Sequence, residues 1–156
     1  MSCKNRLRGF TLIELLIVCL IISILALVAI PMVETSVKRE KEIQLRRNLR
    51  TIITAIDEYR KFVIENNIEH DEDTYGFPET LEVLIDGVEY EDKQGEERLQ
   101  KFLRKIPVDP MTSIYEWGLR SYQDKRDSTS WGGENVYDVY TTSERKALDG
   151  IYYKEW

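Results

Sequence analysis

Residues 10–33, "FTLIELLIVCLIISILALVAIPMV", form an apolar run of 24 residues with a single charge, Glu14. As a helix at ~1.5 Å per residue the run reaches about 36 Å, and a bilayer core about 30 Å thick needs ~20 apolar residues. The segment is therefore long enough to span a membrane. Lys4, Arg6 and Arg8 precede it. A positive flank of this kind stays on the cytoplasmic side and sends the rest of the chain out. A secretory signal peptide also starts basic and turns apolar, but its apolar part is usually ~7–15 residues and ends at a small-residue cleavage site. This run is longer and passes straight into a charged helical pattern. A lipidated cysteine would follow the apolar run, whereas Cys3 precedes it.

Glu14 needs an explanation. An acid at membrane depth costs at least ~2.5–3.5 kcal/mol on insertion scales and usually has a partner. One reading is an acid about one turn inside the run that snorkels to the interface. The other is a cationic partner. No cation occurs from residue 15 to residue 33, so that partner would come from a neighbouring subunit.

The stretch "RGFTLIELLIV" resembles the class III signal of type IV pilins and type II secretion pseudopilins. In that family a prepilin peptidase cuts after the glycine, here Gly9, and methylates the new terminal residue, here Phe10. The resemblance implies that Glu14 faces the free amino group of Phe10 in the adjacent subunit. An amine and a carboxylate neutralise each other where water is scarce, which sets the register between subunits. The resemblance covers about residues 4 to 31, and Pro31 falls where the family often has a helix-kinking proline.

Processing would change the charge. The chain carries 22 basic and 28 acidic side chains, net −6. Loss of the three basic residues of the leader leaves 19 basic against 28 acidic, net −9. An acidic exported part disfavours a grip on nucleic-acid phosphates, which relies on Lys and Arg. Cys3 leaves with the leader and Cys19 lies in the apolar run. The exported domain therefore has no cysteine for a disulfide, although its compartment would allow one.

Beyond the run, residues 34–48 are dense in charge. Glu34 with Lys38, Lys38 with Glu42, and Glu42 with Arg46 stand four apart, where opposite charges add only ~0.2–0.5 kcal/mol each. The pattern predicts a solvated neck. A seam follows at Leu45, Leu49, Ile52, Ile56, Tyr59 and Val63, widened by Ile53 and Phe62. This is one apolar face of an amphipathic helix. Asn66 and Asn67 supply a stop. The expected organisation is a cleaved leader (1–9), a transmembrane and assembly helix (10–33), its amphipathic continuation (34–66) and a globular domain (67–156). The expected fold class is α+β: a long N-terminal helix, membrane-spanning in its first half and amphipathic in its second, packed on a small C-terminal domain with short helices and an antiparallel β-sheet.

In that domain "FPETLEVLIDG" reads as a short helix ended by Gly87, with Leu81, Leu84 and Ile85 inward. "EERLQKFLRK" reads as a helix with Leu99, Phe102 and Leu103 inward, and "IPVDP" breaks it. "IYEWGLRSY" (114–122) and "NVYDVYTT" (135–142) read as strands, with "GIYYKEW" as a third. Tyr137, Tyr140, Tyr152 and Tyr153 have the spacing of strand residues that fill a small core. "FLRKIPVDPMTS", followed by "YDVYTTSERKALDGIYYKEW", is similar to the major pseudopilin group of type II secretion. Many of its members hold calcium in the C-terminal loop, and the resemblance carries that role to Ser143 and Asp149. Calcium takes six to eight oxygens, and Arg145 and Lys146 stand beside this loop. The other reading is an Asp-Gly turn in which Asp149 caps its own backbone.

His70 among Glu69, Asp71, Glu72 and Asp73 reads as a solvated acidic loop ahead of a metal cluster. There is no phosphate-binding Gly-rich loop, nucleophile elbow or paired-Cys motif, and no enzyme is expected. The resemblance implies a structural subunit of a periplasmic filament for protein export. Its partners would be further copies of itself, minor pseudopilins, the prepilin peptidase and an inner-membrane assembly platform. It would lie in the bacterial inner membrane as a single-pass protein with a periplasmic C-terminal domain. A type IV pilin of a surface fibre is the alternative. A single-pass anchored binding module is the reading from a different class; it has no use for Glu14 or for the junction between Gly9 and Phe10.

Overall fold

The computed structural model describes residues 9–156, with backbone alone at residues 28–31. The leader, Gly9 apart, lies outside the described residues. The chain divides into two compact units at the boundary between Arg39 and Glu40. One helix, α1 (Leu12–Glu65), contributes to both.

In the first unit, Thr11 caps α1, its Oγ1 accepting the Glu14 N–H at 3.3 Å. The large apolar side chains from residue 12 to residue 27 are exposed, from 43% at Val18 to 77% at Leu12. Hydroxyls in this unit satisfy themselves locally: Ser23 Oγ donates to the Cys19 carbonyl at 2.8 Å, and Ser36 Oγ to that of Met32 at 2.9 Å.

In the second unit α1 is amphipathic. Leu45, Leu49, Ile52, Ile56 and Val63 of the seam are buried, with Tyr59 and Ile53 packed at the margin. The helix stops where the asparagines predict. Asn67 turns left-handed at φ 51°, and the Ile68 N–H returns to the Val63 carbonyl at 3.0 Å. This pairing satisfies carbonyls that a helix end leaves open.

The rest of the unit covers that face. Helix α2 (Val83–Asp86) is shorter than the sequence suggests and ends at Gly87, φ 89°. A Cβ there would lie 2.5 Å from the Gln100 carbonyl oxygen. Strands β1 (Val88–Glu91) and β2 (Glu97–Gln100) pair antiparallel, Val88 opposite Gln100. Strands β3 (Gly118–Arg120) and β4 (Asp138–Tyr140) pair antiparallel, Gly118 opposite Tyr140. The core joins the α1 face to Phe77, Leu81, Leu84, Leu103, Met111, Trp117, Val136, Val139, Ala147 and Tyr153. The layout is α+β, with two small antiparallel sheets.

Three local expectations are corrected. "EERLQKFLRK" is not helical: its first half is β2, and Leu99 is 52% exposed. Asp92 Oδ1 accepts the N–H groups of Gln94 and Glu96, and Gly95 takes φ 80°, so a tight turn folds the segment back on β1. Phe102 and Leu103 do point to the core, both donating their N–H groups to the Leu84 carbonyl. "GIYYKEW" forms one bridge, Lys146 with Tyr152, and then a 3-10 turn (Tyr153–Glu155) in place of a third strand. Of the four tyrosines assigned to the core, Tyr140 and Tyr153 are buried, whereas Tyr137 and Tyr152 remain 46% and 39% exposed.

Candidate functional site

The sequence points to two places: the start of α1 and the C-terminal loop. At the first, Gly9 and Phe10 precede the helix and are exposed, Phe10 at 74%. Glu14 stands in the first helical turn, where the N-terminal end of the helix dipole favours an acid. Among the described residues no side chain partners its carboxylate; its backbone N–H is held by Thr11. Thr11 escaped the sequence reading. The signal was present, because Thr11 and Glu14 have the spacing of a capping box. The helix is long and apolar enough to cross a membrane by length and composition.

At the C-terminal loop the two expected ligands hold backbone turns. Ser143 is buried, and its Oγ accepts from the N–H and Nε of Arg145 at 3.4 and 3.5 Å. Asp149 is exposed, and its Oδ1 accepts the Ile151 N–H at 3.0 Å. Arg145 also donates from Nη2 to the Met111 carbonyl. Lys146 and Lys154 both lie over the Tyr152 ring, at 4.6 and 5.7 Å. Among the described residues no three His, Cys, Asp or Glu side chains are placed together as a metal site would need. Near the loop, Thr112 Oγ1 is buried without a hydrogen-bond partner, but one neutral hydroxyl does not supply the oxygens calcium takes. As arranged, the donor set does not fit the ion.

Two residues that hold this loop were not singled out in the sequence. Asp109 is fully buried; its Oδ1 accepts the Met111 N–H at 2.7 Å and its Oδ2 the Thr141 hydroxyl. Glu42, expected in the solvated neck, instead reaches the loop. Its Oε1 accepts the Leu148 N–H and the Tyr153 hydroxyl, both at 2.8 Å. Burial, then the hydrogen bond and charge of Glu42, push the Tyr153 phenol up to about 12.

His70 is exposed, its Nδ1 2.9 Å from the Ile68 carbonyl oxygen. Two open grooves share Arg120 and Asp138. Those residues are already committed to each other at 3.0 Å, and the guanidinium stacks 4.1 Å from the Tyr140 ring. The arrangement braces β3 against β4.

The start of the chain thus presents an exposed apolar helix with a capped, acid-bearing first turn. The prokaryotic N-terminal methylation motif, the signature of the type IV pilin family, matches residues 4–30. The chain is also 28% identical over 146 residues to the type II secretion system core protein G of Pseudomonas aeruginosa, covering 87% of this chain and 95% of that protein. No solved structure gives a significant match. Residues 4–30 thus carry an N-terminal methylation motif, and the chain as a whole is similar to a type II secretion core protein, in line with the resemblance that the sequence suggests.

Proposed function

We propose that the chain is a structural subunit of a periplasmic pseudopilus that serves type II protein secretion, and that it is not an enzyme. A prepilin peptidase cuts between Gly9 and Phe10 and methylates Phe10. The subunit waits in the inner membrane with residues beyond Lys38 in the periplasm. It then polymerises on an assembly platform, with minor pseudopilins, by packing its N-terminal helices. Glu14 pairs with the Phe10 amine of a neighbour.

The observation that carries this reading is the likeness to a type II secretion core protein over nearly the whole of both chains. A type IV pilin of a surface fibre is the second reading. Such pilins commonly close a C-terminal loop with a disulfide, and residues 20–156 of this chain contain no cysteine.

Two measurements test the proposal. Intact-mass analysis of the membrane-extracted protein is expected to show loss of residues 1–9 and gain of one methyl group; a full-length chain in cells with active peptidase contradicts it. Deletion of the gene is expected to leave exported enzymes in the periplasm and surface fibres intact. Lost fibres with normal secretion would give the pilin reading the field.

A further inference from the structure

The loop that the resemblance would give to calcium already contains a cation. We propose that the Arg145 guanidinium does in this chain what a divalent ion would do, and that residues 141–145 are held against residues 109–111 without metal. The inference concerns the folded domain and is independent of which filament the subunit builds.

The observation is a closed circuit of hydrogen bonds. The buried Asp109 carboxylate accepts the Met111 N–H on one oxygen and the Thr141 hydroxyl on the other. Thr141 Oγ1 accepts the Ser143 N–H at 3.2 Å. Ser143 Oγ accepts the Arg145 N–H at 3.4 Å and lies 3.5 Å from its Nε. Arg145 Nη2 donates to the carbonyl of Met111, the residue whose N–H Asp109 accepts, and this closes the circuit. Two segments separated by 32 residues, counted from Asp109 to Thr141, are thereby tied. The circuit contains one carboxylate and one guanidinium, so it is neutral as a whole.

An ion bridging the same segments would need the same oxygens. Ser143 Oγ, the Met111 carbonyl and both Asp109 oxygens are engaged. Asp149, the other expected ligand, is committed to its own turn and to the Ile151 N–H. A divalent ion would also sit beside the positive charge of Arg145, with Lys146 next in the chain. Arginine suits this place because its planar fork makes several directed bonds while its charge stays fixed. Arg145 is exposed, so its contribution is smaller than that of a buried ion pair.

The test is thermal unfolding of the full chain in detergent, followed by tryptophan fluorescence. The wild-type midpoint is expected to be the same in millimolar calcium as in excess chelator. Arg145→Gln is expected to lower the midpoint by about 2–6 °C, the shift that loss of a charged hydrogen bond gives a chain of this size. Arg145→Lys keeps the charge, loses the fork and is expected to fall by less. A calcium-dependent rise in the wild-type midpoint would overturn the proposal. So would an Arg145→Gln variant that melts like the wild type. If the glutamine variant does not fold, the lysine variant decides, and an unshifted midpoint there overturns the proposal equally.

Discussion

Helix α1 contains two stretches of similar length with opposite fates. From residue 12 to residue 27 apolar side chains cover every side of the helix, and all the large ones are exposed. From residue 45 to residue 63 they keep to one face, and the seam is buried. An amphipathic stripe can be covered by the chain's own domain, because its polar side remains in water. A helix apolar all round needs an apolar surrounding on every side, which a domain of this size cannot supply. The first stretch is thus left uncovered among the described residues, as a membrane-crossing or subunit-packing helix would be, and the second is covered by its own domain.

The comparison is tested most severely at Glu14. If the first stretch serves assembly, Glu14→Leu should insert and be cleaved normally, since it makes the run more apolar. Filaments seen by electron microscopy, and secretion with them, should be lost. The melting of the second unit should not change. Filaments at the wild-type level would reduce Glu14 to an interfacial acid that completes the Thr11 cap. The mirror experiment is Ile52→Ala, in the fully buried part of the seam. It should cost about 2–5 kcal/mol of domain stability, as large-to-small core changes do. Membrane insertion and cleavage between Gly9 and Phe10 should be unaffected. Together the two variants separate assembly from folding along one helix.

What could be read in the sequence follows from the range of the forces involved. The apolar run, the seam and the asparagine stop depend on neighbours three or four residues away, and each is found where the spacing put it. The segment with Leu99, Phe102 and Leu103 misled because three apolar residues at helical spacing also fit a strand followed by an inward bend. The Asp92 and Gly95 turn was the discriminating signal. Glu42 could not be placed from sequence at all. Its contacts lie 106 and 111 residues away, and in the local pattern it is another charge in a charged stretch. The Asp109 circuit is of the same kind. At the start of α1 the motif is local and can be read from the sequence; at the C-terminal loop long-range packing decides which oxygens are engaged, and no local pattern shows that.

A smaller effect is expected at the pair of β3 and β4. The Tyr140 ring lies across Gly118, and a Cβ on that glycine would stand 2.3 Å from the ring. The ring cannot easily retreat, because its hydroxyl donates to the Thr129 carbonyl at 3.2 Å and Arg120 stacks on it. Gly118→Ala should therefore cost about 1–3 kcal/mol through overpacking, read as a lower melting midpoint. A midpoint within error of the wild type would mean that the ring moves freely.

The smallest effect depends on pH and asks whether the C-terminal loop is fastened to α1 as the structure has it. Below pH 9 the Tyr153 hydroxyl is neutral and donates to Glu42. Tyr153→Phe should then cost about 0.5–1.5 kcal/mol, the net worth of one hydrogen bond, while Leu148 keeps its own bond to the same carboxylate oxygen. The folded phenol titrates at about 12, against about 10 in an unfolded chain. Its pKa is raised on folding, so the unfolded chain loses this proton first. The stability linked to it is complete below pH 10 and is lost as the pH rises from 10 through 12. Phenylalanine has no proton to lose. The two proteins are otherwise the same, and the difference between their melting curves isolates Tyr153. The wild-type advantage should shrink from pH 10 upward, pass through zero and reverse before pH 12, because a phenol raised from about 10 to about 12 on folding outweighs one hydrogen bond. A constant difference across that range would mean that the phenol does not face the Glu42 carboxylate, and that the loop is held to the helix by the Leu148 contact alone.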